Sequence, residues 1–380
     1  MRLAVYCDYS YRIQDGRLFA ELPVGLFLAA LAPHCERVTL AGRFDPSPGR
    51  FPYELTGVEF VGLPYYASGA DPWALVKSLP RGIARFWQML DSVDVVWLLG
   101  PTPLSVLFAL LTVMRGRRLA LGVRQDLPRL FRRRRPERRI LALGADLLEC
   151  SFRLLSRRCA VVVVGPDLAR RYRRARSLHD LMISLVRRED IMAPGDDERR
   201  YDGDELRILS VGRLDPEKNP LLLADAFAAA VARDPRWRLD VCGEGTLADA
   251  LADRLRALGV SDRAILHGNV PIDGGLIELY ARSHVLLHVS WTEGMPQVIL
   301  EAFALRLPVV ATAVGGVPAL VDGSGLLIEP GDAAAAVRAV ERIAADGDLR
   351  SALVEHGSAL AEAHSLESEA ARLVAFLARA

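Results

Sequence analysis

From Leu206 onward, short apolar runs alternate with longer stretches whose apolar residues recur every three or four positions. The runs Leu206–Val211, Trp237–Cys242, Ala264–His267, Val285–Val289 and Pro308–Ala311 predict buried strands. Between them Pro220–Arg233, Thr246–Leu258, Leu276–Ala281 and Ala333–Ala345 carry a helical period. Alternation of this kind predicts a parallel, doubly wound sheet that binds ligands at the carboxyl ends of its strands. The first half is less regular. Met1–Cys7, Arg37–Ala41, Val58–Val61, Val93–Leu99, Arg117–Val123, Ala160–Val164 and Met182–Val186 read as strands, and Leu18–Leu31 as a helix broken at Pro23. The predicted division is a first domain over 1–188, a polar linker over 189–205, a second domain over 206–364, and a terminal segment over 365–380 containing an apolar helix.

One stretch organises the second domain: Trp291–Leu307, WTEGMPQVILEAFALRL, entered from the strand ending at Val289. Pro296 falls where a first helical position is expected, since its φ is preset and its missing donor costs nothing there. Met295, Pro296 and Gln297 then form a helix N-terminus whose free N–H groups suit a phosphate. Glu293 precedes this site, and Glu301 lies five residues past Pro296, roughly 7.5 Å along the axis. Two carboxylates flanking an anion site suit the hydroxyl groups of a sugar on one side and a ribose on the other. Standing alone, the pair reads first as a solvated loop Glu and a helix-surface Glu.

The pair does not stand alone. EGMPQVILE, upstream VGRLDPEKNP (Val211–Pro220) and downstream PVVATAVGGVPALVDGSGLLIEPGD (Pro308–Asp332) resemble, in order and spacing, the motifs of retaining nucleotide-sugar glycosyltransferases of family four. The resemblance covers Leu206 to about Leu353 and is weak over the first half. It implies the GT-B fold, two Rossmann-like domains facing each other across a cleft, with the donor held mainly by the second and a terminal helix crossing back to the first. By resemblance, Arg213 and Lys218 stabilise the departing diphosphate, Glu293 holds the transferred sugar, and Glu301 faces the nucleotide. Gly243 of the Cys242–Gly245 turn lies near the nucleotide, and Asn269 and Val270 meet the base. Gly16 stands where a glycine pair of the first domain approaches the diphosphate, and its plain alternative is a turn glycine. Asn219 replaces a usual glycine and tolerates left-handed backbone. Gln125 stands where relatives often place a His before an Asp.

Composition adds little except in charge and cysteine. Half of the 380 residues are hydrophobic and the net charge is +1, the balance of an ordinary globular chain. Five cysteines without a CxxC pair predict free thiols in a reducing, cytoplasmic setting, and Met1–Cys7 is too short for a secretory core. The charge is lopsided: Arg115–Asp190 holds 21 basic and 8 acidic residues, so this segment carries +13 and the remainder −12. RLFRRRRPERR (Arg129–Arg139) and RRYRRAR (Arg170–Arg176) read first as a solvated face and second as a contact with anionic lipid on the inner face of the plasma membrane. Nucleic acid is not expected, because no aromatic interleaving accompanies the arginines. Val95–Met114 contains 20 uncharged residues, but Gly100, Pro101 and Pro103 cut it into a strand and a helix rather than a membrane span.

No metal is expected. His284 and His288 flank a core strand without a third ligand, and Asp202-Gly203-Asp204 lies in the linker instead of ending a buried strand. Cys242-Gly243-Glu244-Gly245 lacks the third glycine of a nicotinamide-dinucleotide turn. The function expected from the resemblance is metal-independent, retaining transfer from a UDP- or GDP-sugar to a hydroxyl of a glycan, lipid-linked or small-molecule acceptor. The competing expectation is a nucleotide-binding scaffold of the same fold without turnover.

Overall fold

A computed structural model describes residues 1–49, 51–66, 72–134, 139–194, 201–271 and 274–379. The chain divides into two units, Met1–Leu185 with Leu366–Ala380, and Val186–Ser365.

The first unit runs β1 (Arg2–Gln14), β2 (Arg17–Ala20), α1 (Val24–Ala29), β3 (Arg37–Phe44), β4 (Tyr53–Leu55), β5 (Glu59–Leu63) and α2 (Pro72–Met89). It continues with β6 (Val95–Gly100), α3 (Pro103–Met114), β7 (Arg118–Val123), α4 (Leu127–Arg134), α5 (Arg139–Ser156), β8 (Ala160–Val163), α6 (Pro166–Arg171) and β9 (Ser177–Asp180). Its parallel strands lie in the order β5-β3-β1-β6-β7-β8-β9. Strand order reverses at β1, flanked by β3 and β6, which is where an open α/β sheet leaves room for a ligand.

Three sequence expectations change here. β1 runs on to Gln14 and folds back as the antiparallel hairpin β1–β2, to which β4 adds, so the sheet carries an antiparallel extension. The segment read as a kinked helix from Leu18 is therefore β2 followed by the short α1, with Pro23 as its N-cap. Hairpin pairing outbids helical propensity because the Asp15-Gly16 turn supplies two consecutive positive-φ residues, φ 52° and 76°. The last strand is β9, ending at Asp180, and Met182–Val186 is irregular.

The second unit contains β10 (Leu206–Val211), α7 (Pro220–Arg233), β11 (Trp237–Cys242), α8 (Ala248–Ala257), β12 (Ala264–Gly268), α9 (Leu276–Arg282) and β13 (Val285–His288). There follow α10 (Gln297–Ala304), β14 (Val309–Thr312), α11 (Val317–Val321), β15 (Leu326–Ile328), α12 (Ala333–Ala345) and α13 (Gly347–Ala363). All strands are parallel, in the order β12-β11-β10-β13-β14-β15. In the core, Ile208, Leu239, Val285 and Val310 from the strands meet Phe227, Val337 and Ile343 from the helices.

α14 (Leu366–Arg379) belongs to the first unit, burying Ala370, Leu373 and Leu377 beside Leu3 and Val5. The segment read as a linker packs at both described ends on the second unit: Met192 N–H donates to Ala304 O at 2.8 Å, and the Tyr201 hydroxyl to His284 O at 2.7 Å. Its middle, 195–200, lies outside the described residues, as does 135–138 of the arginine run. Asp202-Gly203-Asp204 is a turn, and the Arg236 guanidinium donates to Gly203 O at 3.1 Å.

Candidate functional site

The second unit gathers its loops at the carboxyl ends of β10, β11, β13 and β14. What holds them there is backbone on backbone. A Cβ on Gly243, at φ 149°, would lie 1.8 Å from Gly212 O. On Gly245 it would lie 2.5 Å from the Leu214 carbonyl. Gly212 and Leu214 N–H donate to Cys242 O and Glu244 O at 2.9 and 2.8 Å, so the two loops form one layer. The same device recurs at the organising stretch: Cβ atoms on Gly315 or Gly316 would lie 1.9 and 2.2 Å from the carbonyls of Glu293 and Gly294. Gly316 N–H closes that contact on Gly294 O at 3.0 Å. Gly243 was expected to admit the nucleotide. Its first requirement is this loop-to-loop approach.

Within this frame Glu293 and Lys218 come together across 75 residues of sequence. Lys218 Nζ lies 2.5 Å from Glu293 Oε1, which also accepts from Ser290 Oγ at 2.6 Å and contacts His288 Nε2 at 2.8 Å. Oε2 accepts no hydrogen bond among the described residues. Burial opposes ionisation of Glu293, yet the His288 contact and the Lys218 ammonium outweigh it and hold the carboxyl at about 2. Trp291 N–H donates to Glu217 O at 2.9 Å, tying the Lys218 turn to the Glu293 loop. The turn itself closes through Asn219 at φ 54° and ψ 48°, the left-handed conformation anticipated for that residue.

Arg213 is half exposed and engaged: its guanidinium bonds Asp215 and, at 2.6 Å, Glu217 Oε1. Each of the two expected cations is thus already matched by carboxylate, and an incoming diphosphate must compete for them. Arg213 lines a cavity of about 420 Å³ together with Gly243, Glu244, Asn269 and Val270. It also lines a smaller one that reaches Lys218, His288 and Ser290. These two cavities bring together Arg213, Lys218, Gly243, Asn269 and Val270.

Pro296 is the N-cap of α10, at ψ 117°, rather than its first helical residue, and no side chain caps that end. The helix starts one residue later because Pro296 keeps extended ψ after the Glu293–Met295 loop. Met295, Pro296 and Gln297 still form the uncapped N-terminus with its positive dipole end. Glu301, expected either at a ribose or on a solvated helix face, receives the hydroxyl of buried Tyr280 at 2.8 Å. Burial raises its pKa, and the Tyr280 bond offsets part of that rise. Gly16 lies at the tip of the β1–β2 hairpin, with no heavy atom within 4 Å of a built Cβ.

Sequence reasoning passed over His288, Ser290, Tyr280 and the Gly315-Gly316 pair. His288 was set aside as a flanking core residue, yet its position at the end of a strand five residues before Glu293 was a usable signal. Tyr280 left none, because its bond to Glu301 joins two helices. His267 contacts the fully buried Asp240 at 2.6 Å, beside Arg207 and Arg282. Among the described residues no three His, Cys, Asp or Glu side chains cluster as metal ligands, and no helix is long and apolar enough to cross a membrane.

Residues 196–359 match the family described as glycosyl transferases group 1. The chain is 41% identical over 152 residues to a D-inositol 3-phosphate glycosyltransferase of Geodermatophilus obscurus, covering 36% of this chain and 33% of that protein. It is 39% identical over 177 residues to the protein of that name from Actinosynnema mirum, covering 42% of each. The chain thus spans between a third and a half of the length of these relatives. Over nearly its whole length it shares the two-domain GT-B fold with solved structures. Anabaena Alr3699/HepE in complex with UDP gives a TM-score of 0.72 at 17% identity, covering 100% of both chains. Sucrose-phosphate synthase from Thermosynechococcus elongatus gives 0.68 at 19%, covering 98% and 97%.

Proposed function

We propose that this chain, whose residues 196–359 belong to the group 1 glycosyl transferases, moves a sugar from a UDP- or GDP-sugar to an acceptor hydroxyl with retention at the anomeric carbon and without a metal. The observation that carries the reading is the buried, ionised Glu293 with Lys218 and His288 on one oxygen, two residues that line a cavity together with Arg213. UDP and UDP-glucose in the Anabaena HepE structures support a nucleotide-sugar as the donor class.

In the proposed reaction the bond from the anomeric carbon to the diphosphate oxygen breaks while the acceptor oxygen bonds on the same face. The acceptor's proton passes to the departing phosphate oxygen. Charge growing on that diphosphate draws Arg213 and Lys218 away from their carboxylates, so their attraction strengthens as the bond breaks. Glu293 Oε2 is left to receive a sugar hydroxyl while Oε1 keeps its bonds to His288 and Ser290. Glu301 with Tyr280 receives the nucleotide ribose.

In this reading the reaction runs at an anionic membrane surface. α5 turns Ile140, Leu143, Leu147 and Leu154 to solvent at helical spacing, with Arg153, Arg157 and Arg158 exposed beside them. α3 exposes Leu110, Val113 and Met114 on the same unit. Apolar faces rimmed by arginine suit the lipid headgroup boundary. A second reading, a scaffold that binds nucleotide without turnover, draws on Gln125 in place of a His. The test is a thermal-shift panel of UDP, GDP, ADP and dTDP followed by donor-sugar hydrolysis and transfer in excess EDTA. Turnover in EDTA with a UDP- or GDP-sugar is the expected result. Binding without turnover favours the scaffold, and loss in EDTA restored by Mg²⁺ or Mn²⁺ overturns metal independence.

A further inference from the structure

Glu293 carries its partners on one side. Oε1 faces Lys218 Nζ at 2.5 Å, Ser290 Oγ at 2.6 Å and His288 Nε2 at 2.8 Å, while Oε2 accepts none among the described residues. The three differ in what holds them. Lys218 ends the short turn Pro216–Lys218, and its side chain is 22% exposed. His288 is the last residue of β13, and its imidazole is 7% exposed. Ser290 is buried, and Thr312 Oγ1 of β14 donates to its carbonyl at 2.7 Å. Lys218 is therefore the partner with room to move, and it is the one that a diphosphate attracts.

Moving Lys218 has an electrostatic consequence. A buried carboxylate that loses its cation is strongly disfavoured, and more so when the negative charge of a diphosphate comes close. Of the groups around Glu293, His288 is the one able to replace the lysine. Arg213 lines the same cavity but is already held by Asp215 and Glu217. Ser290 and Thr312 are neutral, and Pro220 and Leu223 bring only apolar surface from α7. Glu293 is the one carboxylate paired with His288 among the described residues. An ionised carboxylate only accepts, so the Nε2 turned to it carries a hydrogen, and an added proton enters at Nδ1. Imidazole is the side chain whose charge changes near neutral pH. We propose that His288 is a positioning residue that takes a proton from solvent as the donor's diphosphate draws Lys218 from Glu293, so that one cation on Oε1 is exchanged for another. The exchange keeps Glu293 ionised, with Oε2 open to a sugar hydroxyl. It rests on the donor reading of this site for its trigger, and on the shared oxygen alone for the coupling of His288 to Lys218.

The first test needs no ligand. Histidine-selective NMR of the full chain follows the His288 ring between about pH 5 and about pH 9, its resonance assigned by loss in His288→Gln. Lys218→Met removes the competing cation outright and should raise the His288 midpoint by at least about one pH unit, the effect of changing a neighbouring charge. Lys218→Gln serves if the methionine variant does not fold. An unchanged midpoint overturns the exchange. The second test measures UDP binding, with GDP as the alternative, by calorimetry in two buffers of different ionisation enthalpy. At about pH 7.5 the nucleotide's own terminal phosphate, with a second pKa of about 6, has little proton to release, and its share is common to all variants. Wild type should take up a fraction of a proton more than His288→Gln, which keeps a hydrogen-bond donor but cannot be protonated. Equal proton counts in the two proteins, with nucleotide bound, overturn the proposal. Failure of both nucleotides to bind, with the lysine-dependent midpoint shift present, instead overturns the donor reading while the coupling on Oε1 stands.

Discussion

The two units solve the problem of building a pocket in opposite ways. In the second, glycines at 243, 245, 315 and 316 let loops touch backbone to backbone, and a handful of charged side chains are fixed inside that frame. In the first, a cavity is walled by side chains such as Arg124 and Tyr9, and Gly16, at φ 76°, turns a hairpin. A pocket framed by main chain tolerates almost no change at its glycines. A pocket walled by side chains is free to vary in what it recognises. On the proposed reading, donor handling sits where the glycines admit no side chain, and acceptor choice where side chains form the wall.

The largest expected effect breaks or keeps this contrast directly. Gly243→Ala should destabilise the second unit by on the order of 3–5 kcal/mol and abolish UDP binding, since Gly212 O cannot yield 1.8 Å. Gly16→Ala, with open space around it, should cost only the left-handed backbone strain of about 1–2 kcal/mol and leave UDP affinity unchanged. Urea unfolding and a UDP thermal shift on both variants measure it, and equal losses would dissolve the distinction.

Next in size, Lys218→Ala is expected to lower turnover about 10²–10³-fold with little change in UDP affinity. Glu293→Gln should act mainly on turnover too, and it carries a signature in acid. The Glu293 pKa is lowered from 4.5 to about 2, so its contribution is present above about 4.5 and is lost as pH falls toward 2. That contribution is on the order of 3 kcal/mol. Stability measured from pH 6 to pH 2 should therefore fall less steeply in Glu293→Gln than in wild type, and parallel curves would remove the ionised-carboxylate account.

Glu301→Ala is expected to weaken UDP or GDP binding roughly tenfold to a hundredfold, and Tyr280→Phe roughly threefold to tenfold. Calorimetry on both variants decides whether the Tyr280 bond orients the carboxylate or is incidental. Smallest is the membrane contact of the first unit, about 1 kcal/mol per basic residue near an anionic surface. Co-sedimentation with anionic vesicles should be seen at 0.05 M salt and lost by 1 M, where the Debye length falls to about 3 Å. Leu143→Ser with Leu147→Ser should weaken it further, and no pelleting at low salt ends the idea.

What the sequence made legible follows the same line. The β/α alternation of the second unit could be read because buried parallel strands are near-continuous apolar runs, and its loops because glycine and proline there answer steric needs. The hairpin Tyr11–Ala20 was missed because alternating Tyr, Ile, Leu and Phe also satisfy a helical count. His288 and Tyr280 act through bonds to residues on other elements. No periodicity registers a contact of that kind.

The glycine crossings have a consequence for anyone wishing to retarget this protein. Because the 212–214 loop interlocks with 243–245, and 293–294 with 315–316, neither member of a pair is an independent unit of exchange. Exchanging one loop for a segment that lacks its glycine would set a side chain against the carbonyl of its mate. Chimeras should be cut so that both halves of each crossing travel together, whereas the residues around Arg124 can be randomised singly.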